Sequence, residues 1–350
     1  MPSRETLTLL QHQPLYLKVM MTQQRIREWV DFYGKDGVYV SFSGGKDSTV
    51  LLHLVREMYG NDIPAVFVNT GLEYPEIVKF VKTFDNVEIL RPKMGFDEVI
   101  KKYGYPLIGK EIALKISKAR KGSKYAMRFV DGTMVNKKGE ISQYCVVKYK
   151  PLMNTDFHIS HECCDVMKKR PFHKYSKLTN KVGILGTMTE ESMLRQQKWL
   201  KNGCNAFDNK NPISQPMSFW TEQDVLLYIK QNNIPICSVY GDIVSVCKGD
   251  DNQYENSLTG DNSLLKTTGC QRTGCIFCAF GAHCRGDRRF LDLKITHPKQ
   301  YNFCMNGGEY VDGIWQPNKE GLGMAHVFDE VNKIYGDKFI DYGKEERGAE

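Results

Sequence analysis

The sequence predicts an α/β fold with a doubly wound, mainly parallel sheet. Short apolar strand patterns alternate with amphipathic helix patterns along most of the chain, and this alternation favours a sheet covered by helices on both faces. A glycine-rich loop joins the first strand pattern to the next helix pattern. Of the 350 residues, 41% are hydrophobic and 25% are charged. This composition is typical of a globular protein and excludes collagen-like, coiled-coil and wholly disordered chains.

The first elements follow from hydrophobic spacing. A leading helix is predicted over residues 17–33, where apolar side chains recur at helical spacing among polar ones. A turn at 34–37 separates it from a buried strand at 38–42, and a helix over 48–59 ends at Gly60. These residues predict the first strand–loop–helix unit of the sheet.

The same alternation continues further along the chain. It predicts strands at 65–69, 87–90 and 182–185, and helices from Pro75, near 96–103 and 110–121, and across 190–201. A further helix begins after Thr221, because Thr221 and Asp224 have the spacing of a capping box.

Two stretches depart from the alternation. Residues 125–150 have a hairpin-like pattern and are interpreted as an insertion. Residues 241–269 are rich in glycine, aspartate, asparagine and serine, and are interpreted as a long loop before a cysteine-rich module at 270–284. We therefore expect an N-terminal helical segment at 1–36, a nucleotide-binding domain at 37–240, and a C-terminal loop and cysteine-rich module at 241–350.

Cellular location and partners are constrained only broadly. No apolar run approaches the ~18–20 residues that cross a bilayer, and the polar N-terminal residues do not match a signal peptide. We therefore expect a cytoplasmic protein without membrane spans. Eleven cysteines are then expected to be free, metal-bound or redox-active thiols rather than disulfides. The formal net charge of +7 suits nucleic acids or phosphorylated ligands without proving either.

The loop from Ser43 to Ser48, with the sequence SGGKDS, is the first candidate site. A helix N-terminus offers unpaired N–H groups and the positive end of the helix dipole, glycines let the backbone approach phosphate oxygens, and Lys46 adds a full charge. The loop is not a Walker A motif, because Asp47 follows Lys46 where that motif has serine or threonine. It resembles the PP-loop of the ATP pyrophosphatase superfamily, also called adenine-nucleotide alpha hydrolases, whose members cleave ATP between the α- and β-phosphates.

Further segments resemble the phosphoadenosine phosphosulfate (PAPS) reductase branch of that superfamily. Residues 66–76 are similar to its strand-DTG-x-x-x-PE segment, with Asn69 in place of the usual acid. Residues 186–195 are similar to its G-x-x-x-x-[DE]-S-x-x-R segment, whose arginine, here Arg195, meets a phosphate or sulfate. Residues 211–235 are similar to its W-T-x-x-D-V helix and N-x-P turn. The resemblance covers about residues 37–240.

This resemblance implies a nucleotide site with Mg²⁺. The implied catalytic residues are Lys46, Asp47 and Arg195. The implied nucleotide-binding residues are Ser41, Ser43, Gly44, Gly45, Lys46, Asp47, Ser48, Asn69, Thr70, Gly71 and Arg195.

The cysteines form a second candidate site. The segment from Cys163-Cys164 to Pro171 resembles the double-cysteine segment of iron–sulfur adenylylsulfate reductases, in which that pair and a later Cys-x-x-Cys hold a [4Fe–4S] cluster. Cys275 and Cys278 supply the later pair. Four thiolates also suit zinc, so the spacing leaves both open, and the resemblance favours the cluster.

A local set of four cysteines is an alternative. Cys270, Cys275, Cys278 and Cys284 resemble the cysteine-rich region of DNA-phosphorothioation PP-loop enzymes, although the first spacing differs. If that set held the metal, Cys163 and Cys164 would be left for sulfur chemistry or simple burial. We therefore keep Cys270 and Cys284 as alternate ligands.

The resemblance implies an enzyme that uses ATP. The reductases of this branch carry a late Glu-Cys-Gly-x-His segment with the nucleophilic cysteine, which this sequence lacks, whereas Lys46 and Asp47 are intact. We expect substrate adenylylation with pyrophosphate release, followed by sulfur transfer from a donor protein or small sulfur species. The alternatives are a PAPS or adenylylsulfate reductase with another nucleophile, such as Cys270 or Cys304, and a nucleotide-binding partner subunit without turnover.

The stretch from Lys101 to Arg128 is strongly basic. It has nine lysine or arginine residues against the single acid Glu111, with tyrosines between them. Such a stretch can neutralise nucleic-acid phosphates, although a solvated helix face is the commoner explanation. Because related thiolation and phosphorothioation enzymes act on tRNA or DNA, we expect nucleic acid as a candidate partner of this face.

Overall fold

The computed structural model describes residues 2–247 and 263–344. In chain order its α-helices are α1 (Arg4–Gln11), α2 (Leu15–Tyr33), α3 (Lys46–Tyr59), α4 (Pro75–Val81), α5 (Phe96–Tyr103), α6 (Lys110–Arg120), α7 (Lys124–Val130), α8 (Arg170–Thr179), α9 (Met193–Asn202), α10 (Glu222–Gln231), α11 (Arg289–Thr296), α12 (Pro298–Met305) and α13 (Met324–Tyr335). A π-helical turn at Asp165–Lys169 precedes α8.

The strands are mostly short. In chain order they are β1 (Val38–Ser41), β2 (Ala65–Val68), β3 (Val87–Leu90), β4 (Leu107–Ile108), β5 (Val182–Leu185), β6 (Asn205–Ala206), β7 (Ile213–Ser214), β8 (Ile243–Cys247), β9 (Ser263–Thr267), β10 (Ala279–Phe280), β11 (Glu309–Val311) and β12 (Ile314–Gln316).

The chain forms two compact units. The first, here called the loop unit, comprises Met1–Asn69, Glu73–Arg91 and Pro171–Thr273. The second, here called the cysteine unit, comprises Thr70–Leu72, Pro92–Arg170 and Gly274–Glu350. The domain boundaries at residues 36 and 240 stay predictions.

The central sheet belongs to the loop unit. Its strand order is β3-β2-β1-β5-β7-β6, and its neighbours pair in parallel except for β6 with β7. The chain builds outward from β1 through β2 and β3 and then continues on the other side of β1 with β5 and β7. The predicted α/β fold with a mainly parallel sheet is confirmed. Such sheets bind ligands where the strand order reverses, beyond the carboxyl ends of the strands, which here is the end of β1 and β5.

Aliphatic and aromatic side chains hold this sheet in place. Along β1 and β2 nearly every side chain is buried, as expected for central parallel strands covered on both faces. Tyr39, Val66 and Tyr175 form one buried cluster. The Tyr175 hydroxyl donates to Glu88 at 2.6 Å, so its polar end is paired.

Helix α2, the second helix of the chain, is anchored to α10. The Lys18 ammonium, 2% exposed, lies 2.6 Å from Asp224 Oδ2 and also donates to the Gln11 carbonyl at 2.6 Å. The Trp220 indole N–H donates to Thr22 Oγ1 at 2.8 Å. Thr221 and Asp224 form the predicted capping box. Trp220 and Asp224 of the W-T-x-x-D segment therefore attach α2 to the unit.

Most predicted elements are present with small shifts in their ends. The strands at 87–90 and 182–185 match β3 and β5, whereas α3 begins at Lys46, two residues earlier than expected. Helix α1 was not predicted, although Ser3 caps it and Leu7 is buried. The helix expected across 190–201 begins as a 3₁₀ turn at Thr189–Glu191, and α9 follows with Ser192 as its N-cap.

The hairpin predicted over 125–150 is wrong for its first part. Residues 124–130 form α7, because the Ser123 hydroxyl accepts a hydrogen bond from the Ala126 N–H and caps the helix. Residues 134–142 pair as a short hairpin, with a bridge between Val135 and Ile141 and a hydrogen bond from the Ser142 N–H to the Met134 carbonyl at 2.7 Å. A 3₁₀ segment follows at Val147–Asn154.

The long loop predicted over 241–269 is wrong at both ends. Strands β8 and β9 pair there as an antiparallel hairpin, from Ile243 opposite Thr267 to Cys247 opposite Ser263. Only the intervening polar residues gave the loop-like composition, and residues 248–262 lie outside the described part of the chain.

The cysteine unit combines helices with two small sheets. Strands β4 and β10 pair in parallel, and β11 and β12 form an antiparallel hairpin. The Arg120 guanidinium donates to the carbonyls of Met153, Thr155 and Phe157, which links the end of α6 to residues 153–157. Among the described residues of the whole chain, no helix is long and apolar enough to cross a membrane.

Candidate functional site

The SGGKDS loop lies between β1 and the N-terminus of α3, at the position where the strand order reverses. The Ser43 and Ser48 hydroxyls are 3.0 Å apart, and the Ser43 N–H donates to Ser48 Oγ at 3.1 Å. The Gly45 N–H donates to Ser43 Oγ at 3.3 Å, and Ser48 Oγ donates to the Gly45 carbonyl at 2.9 Å. The two serines therefore fold the loop back onto itself.

Two glycines allow the close packing of this loop. Gly44 has φ +72°, and a side chain there would lie 2.7 Å from Val81 Cγ2 and 2.9 Å from Ile77 Cγ2. Gly186, directly after β5, faces the start of α3, where a Cβ would lie 3.0 Å from the Asp47 carbonyl oxygen. The segments after β1 and β5 thus approach each other with no room for a side chain.

The first turn of α3 leaves backbone donors available. The Lys46 N–H donates to the Tyr240 hydroxyl at 3.0 Å. In the described part of the chain, no acceptor lies within hydrogen-bond distance of the N–H groups of Gly44, Asp47 and Ser48. Free N–H groups at a helix N-terminus form an anion-binding site. The loop therefore has the donors that the sequence predicted for phosphate.

The Lys46 side chain is buried, with 3% of its surface exposed. Its Nζ atom lies 3.1 Å from Glu222 Oε1, 3.1 Å from the Gln271 carbonyl oxygen and 3.6 Å from Asp47 Oδ1. Burial alone would lower the pKa of Lys46, but the Asp47 and Glu222 carboxylates outweigh it and raise that pKa. Lys46 is therefore a cation at neutral pH, held by protein acceptors beside the free N–H groups.

Asp47 has a different environment. Burial raises the pKa of its carboxyl group, although the Lys46 and Arg272 charges oppose that rise. Its Oδ1 atom is buried and has no hydrogen-bond partner among the described residues. Lys46 Nζ lies 3.6 Å from this oxygen without a hydrogen bond, so the oxygen is a potential ligand for a further cation.

Arg195 lies in the first turn of α9 and pairs with Glu191. Its pKa is lowered, first by burial and then by repulsion from Arg272, while the Asp47 carboxylate opposes the change. Arg195, Arg272 and Asp47 are thus electrostatic neighbours within the loop unit.

The other predicted nucleotide residues are divided between the units. Ser41 ends β1, and Asn69 follows β2, where its N–H donates to the Leu90 carbonyl at 2.9 Å. Thr70 and Gly71 belong to the cysteine unit, where Thr70 Oγ1 accepts a hydrogen bond from the Leu72 N–H. Nucleotide contacts by Ser41, Asn69, Thr70 and Gly71 stay predictions.

The second candidate site is a small cavity in the cysteine unit. All four cysteines of the preferred ligand set line it. The lining residues are Leu72, Phe96, Pro106, Cys163, Cys164, Met167, Lys168, Cys275 and Cys278. Two cysteine pairs that are distant in sequence therefore share one cavity with apolar walls.

The thiols differ in acidity. Cys163 and Cys164 have Sγ atoms 3.9 Å apart. A hydrogen bond from Cys163 lowers the pKa of Cys164, helped by the charges of Lys110 and Lys168, whereas the same contact and burial raise the pKa of Cys163. Burial also raises the pKa of Cys278. Among the described residues, no three His, Cys, Asp or Glu side chains are arranged around a single metal ion.

The alternate cysteines lie elsewhere. Cys270 belongs to the loop unit, where its N–H donates to the Val239 carbonyl at 2.9 Å. Cys284 is exposed, and the described lining of the cavity includes neither residue. Cys304 is fully buried beside Met324 Sδ, and burial raises its pKa well above the usual value. Cys304 is therefore wrong as a candidate nucleophile in this conformation.

Four residues near the loop were not predicted as site residues: Glu222, Tyr240, Gln271 and Arg272. Glu222 lies inside the W-T-x-x-D segment, where the sequence indicates only a helix cap. Gln271 and Arg272 precede Cys275, where the cysteine spacing dominates the pattern. Only the tertiary fold shows that these residues meet Lys46 or its neighbours.

The parallel sheet and the anion-binding loop at its reversal point are features of a nucleotide-binding protein. The family model of the phosphoadenosine phosphosulfate reductase domain matches residues 37–107 and 122–279. The chain belongs to this family.

Individual relatives match shorter segments. An uncharacterised protein of Methanocaldococcus jannaschii is 43% identical over 76 residues, which is 21% of this chain and 16% of that protein. The glutamine-hydrolysing GMP synthase of Thermomicrobium roseum is 39% identical over 59 residues, which is 17% of this chain and 11% of that protein. The chain thus spans less than a fifth of the length of these relatives.

Among solved structures, the PAPS reductase of Candida auris in a phosphate complex is 14% identical with a TM-score of 0.37, covering 68% of this chain and 91% of that one. The NH3-dependent NAD synthetase of Campylobacter jejuni is 12% identical with a TM-score of 0.32, covering 63% of this chain and 75% of that one.

Proposed function

We propose that the protein is an ATP-dependent PP-loop enzyme that adenylylates a substrate, releases pyrophosphate and serves sulfur transfer. The observation that carries the proposal is the arrangement at the start of α3, where free N–H groups of Gly44, Asp47 and Ser48 lie beside the buried Lys46 ammonium. Backbone donors and a fixed cation together suit a phosphate chain, and they oppose the charge that develops as pyrophosphate leaves.

The charged side chains have separate roles in this proposal. Lys46 binds a phosphate oxygen, and Arg195 binds a second anionic group of the nucleotide. Asp47 Oδ1 accepts no hydrogen bond from the described residues and lies 3.6 Å from Lys46 Nζ. It would hold Mg²⁺, which is usually bound by one or two carboxylates together with substrate phosphates. When bound, Mg²⁺ supplies positive charge to the phosphate oxygens. The protein groups fix the nucleotide and exclude water around Lys46.

The acceptor oxygen of the substrate attacks the α-phosphorus of ATP, and the bond from that phosphorus to the bridging oxygen of the β-phosphate breaks. Pyrophosphate leaves with the bonding electron pair, and the substrate keeps AMP. A sulfur nucleophile then displaces AMP from the activated carbon. In this reaction sequence the phosphate loop takes part only in the adenylylation step.

The cysteine thiols that line the cavity are suitable ligands for an iron–sulfur cluster. Cys163, Cys164, Cys275 and Cys278 would hold it, because all four line one cavity and soft thiolates are the usual cluster ligands. A bound cluster supplies an iron centre that can bind sulfur or carry an electron. Lys168 lines the same cavity, and its positive charge favours the thiolate form of Cys164. Zinc suits the same donors.

The nucleotide part of the proposal is tested by ATP binding and pyrophosphate release. Lys46→Ala is expected to abolish both while the melting temperature stays near that of the wild type. Lys35→Ala is the matched control, because Lys35 is an exposed lysine of the same unit that pairs with Asp62. Pyrophosphate release that is equal in Lys46→Ala and the wild type would remove the loop from the mechanism.

The cluster is tested on anaerobically purified protein by visible absorbance near ~400 nm and by iron, sulfide and zinc content. Cys275→Ser is expected to lose the absorbance and the iron. Cys284→Ser is the control, because Cys284 lies outside the cavity, and it should retain both. Loss of iron in Cys284→Ser with retention in Cys163→Ser would instead assign the metal to the local set of four cysteines. Zinc without colour would rule out the cluster.

A sulfonucleotide reductase is the second candidate, because the family model is that of the PAPS reductase domain. With Cys304 buried, this function would depend on Cys270, which is partly exposed. Sulfite release from labelled PAPS that disappears in Cys270→Ser would favour the reductase over ATP-dependent sulfur transfer. A third candidate, a nucleotide-binding subunit, would bind ATP without releasing pyrophosphate.

We further propose nucleic acid as the acceptor, bound by the exposed side chains of α6 and α7. Lys118, Lys121, Lys124 and Arg128 are exposed, and Tyr125 between them is 68% exposed. Two other members of the basic stretch have structural contacts instead. Lys115 packs over Phe129 at 4.8 Å, and Arg120 caps backbone carbonyls. The candidate surface is therefore narrower than the full stretch from Lys101 to Arg128.

A further inference from the structure

The segment Gln271–Thr273 lies directly against the nucleotide loop. The Gln271 carbonyl accepts a hydrogen bond from Lys46 Nζ at 3.1 Å. Thr273 Oγ1 lies 2.7 Å from the Tyr240 hydroxyl, which itself accepts the hydrogen bond from the Lys46 N–H at 3.0 Å. Residues on both sides of Arg272 are therefore fixed to the groups that form the anion site.

Arg272 itself is exposed. Its charge interacts with two residues of the site. It lowers the pKa of Arg195 by repulsion and opposes the rise in the pKa of Asp47. In residues 2–247 and 263–344, no carboxylate lies within ion-pair distance of Arg272. The Arg272 guanidinium group therefore lies near the loop, and its N–H groups can donate hydrogen bonds to a ligand.

Arg272 differs from the other two cations near the loop in its ion pairing. Lys46 is paired with Glu222 and Asp47, and Arg195 is paired with Glu191. The three carboxylates balance the three cations in formal charge, but within the described residues none of them lies at ion-pair distance from Arg272. Two neighbouring guanidinium groups repel each other unless an anion lies between them. A guanidinium group also binds phosphate oxygens through two parallel hydrogen bonds.

We infer that Arg272 is an anion-binding residue of the nucleotide site, and that its guanidinium group contacts the part of the phosphate chain that leaves as pyrophosphate. The inference rests on the proposed function, and it adds that the segment before Cys275 supplies part of the phosphate site. The ligand chemistry is a di- or triphosphate chain. Neither the phosphate-loop motif nor the cysteine motif marks this residue.

The test is equilibrium binding of four probes to the full chain, namely Mg·ATP, inorganic pyrophosphate, AMP and adenosine 3′,5′-bisphosphate. Arg272→Gln is expected to weaken the binding of ATP and pyrophosphate by about tenfold, as for the loss of a charge-assisted hydrogen bond. AMP binding should stay within about twofold, because AMP lacks the leaving phosphates. Arg272→Lys should restore part of the affinity, since lysine keeps the charge but not the paired donors.

Arg27→Gln is the matched control, because Arg27 is an exposed arginine of α2 in the same unit. It should bind all four probes as the wild type does. Equal losses for AMP and ATP in Arg272→Gln would show that Arg272 shapes the loop instead, and would overturn the inference. A loss confined to the 3′,5′-bisphosphate would assign Arg272 to a 3′-phosphate and also overturn it.

The inference and the proposed function can fail separately. Unchanged ATP and pyrophosphate binding in Arg272→Gln, with Lys46→Ala impaired, would overturn only the inference. A wild-type protein that binds neither ATP nor pyrophosphate would overturn both. Melting temperatures of the variants distinguish a lost contact from a lost fold.

Discussion

The Glu222 carboxylate holds the Lys46 ammonium at 3.1 Å, although the two residues come from different helices far apart in the sequence. Glu222 lies in the first turn of α10, and its own N–H donates to Glu190 Oε2 at 2.7 Å. The same turn anchors α2 through Asp224 and Lys18. The first turn of α10, which anchors α2, therefore also positions the Lys46 ammonium in the loop.

Glu222→Gln is expected to lower pyrophosphate release at saturating ATP by about tenfold, because a charge-assisted hydrogen bond to Lys46 is replaced by a neutral one. Removing the carboxylate also removes repulsion toward phosphate, so ATP should bind at least as tightly as to the wild type. Steady-state kinetics measure this separation of kcat from KM. Asp31→Asn, which removes an exposed carboxylate from α2, serves as the control. A parallel loss of affinity and turnover would contradict the positioning role of Glu222.

Gly186→Ala is expected to displace the start of α3. The added Cβ would lie 3.0 Å from the Asp47 carbonyl oxygen and 3.3 Å from Ser48 Cα, both backbone atoms that move only with the loop. Such overpacking costs about 1–3 kcal/mol of unfolding free energy, and the shifted N–H groups should bind pyrophosphate more weakly. Urea unfolding and calorimetric binding measure the two effects.

Gly109→Ala is the matched comparison, because a Cβ there would meet only Ile112 Cδ1 at 3.8 Å. That variant should change the unfolding free energy only slightly and leave pyrophosphate binding intact. If Gly186→Ala binds pyrophosphate normally, the close approach after β5 does not control the loop.

The sequence was sufficient to predict the elements whose signal is local. The loop from Ser43 to Ser48, the strand before it and the helix after it follow from glycine content and hydrophobic period. The positions of Glu222, Tyr240 and Arg272 around Lys46 could not be predicted, because they depend on how distant segments pack. Strands β8 and β9 were missed for a related reason, since an antiparallel pair is stabilised across strands rather than within one segment.

The cysteine motifs illustrate the same limit. Their spacing left two sets of four open, because Cys275 and Cys278 belong to both. Packing brings Cys163 and Cys164 to the cavity lined by Cys275 and Cys278, which the spacing alone does not require. Which set binds a metal stays a prediction that the iron analysis tests.

Replacing Lys118, Lys121 and Lys124 by glutamine is expected to weaken nucleic-acid binding and to flatten its salt dependence. Each phosphate contact that is lost should reduce the slope of log K against log [salt] by about 0.7–0.9. Binding of a labelled tRNA and a DNA duplex at several salt concentrations measures this. Glutamine at the exposed Lys79, Lys82 and Lys177 of the loop unit removes the same charge as a control. Equal slopes in both triple variants would assign α6 and α7 to a merely solvated face.

Asp156→Asn is expected to destabilise the cysteine unit in a pH-dependent way. Asp156 Oδ2 accepts hydrogen bonds from the Tyr310 hydroxyl at 2.5 Å and from His326 Nε2 at 2.9 Å, which attach the β11–β12 hairpin and α13 to the chain before the cysteines. Burial by itself would raise the pKa of Asp156, but these two hydrogen bonds outweigh it and lower that pKa below the usual 3.8. The ionised carboxylate is therefore the stabilising form.

The sign of the pH effect follows from that lowered pKa. The stabilisation is fully present above the pKa of the unfolded chain and is lost as pH falls through the lower pKa of the folded state. At pH 7 the variant should lose about 1–3 kcal/mol of unfolding free energy, and this difference from the wild type should shrink below about pH 4. Urea unfolding between pH 3 and pH 7 measures it, with exposed Asp337→Asn as the control. A difference that stays constant across this range would mean that the charge of Asp156 does not stabilise the contact, and that only its shape does.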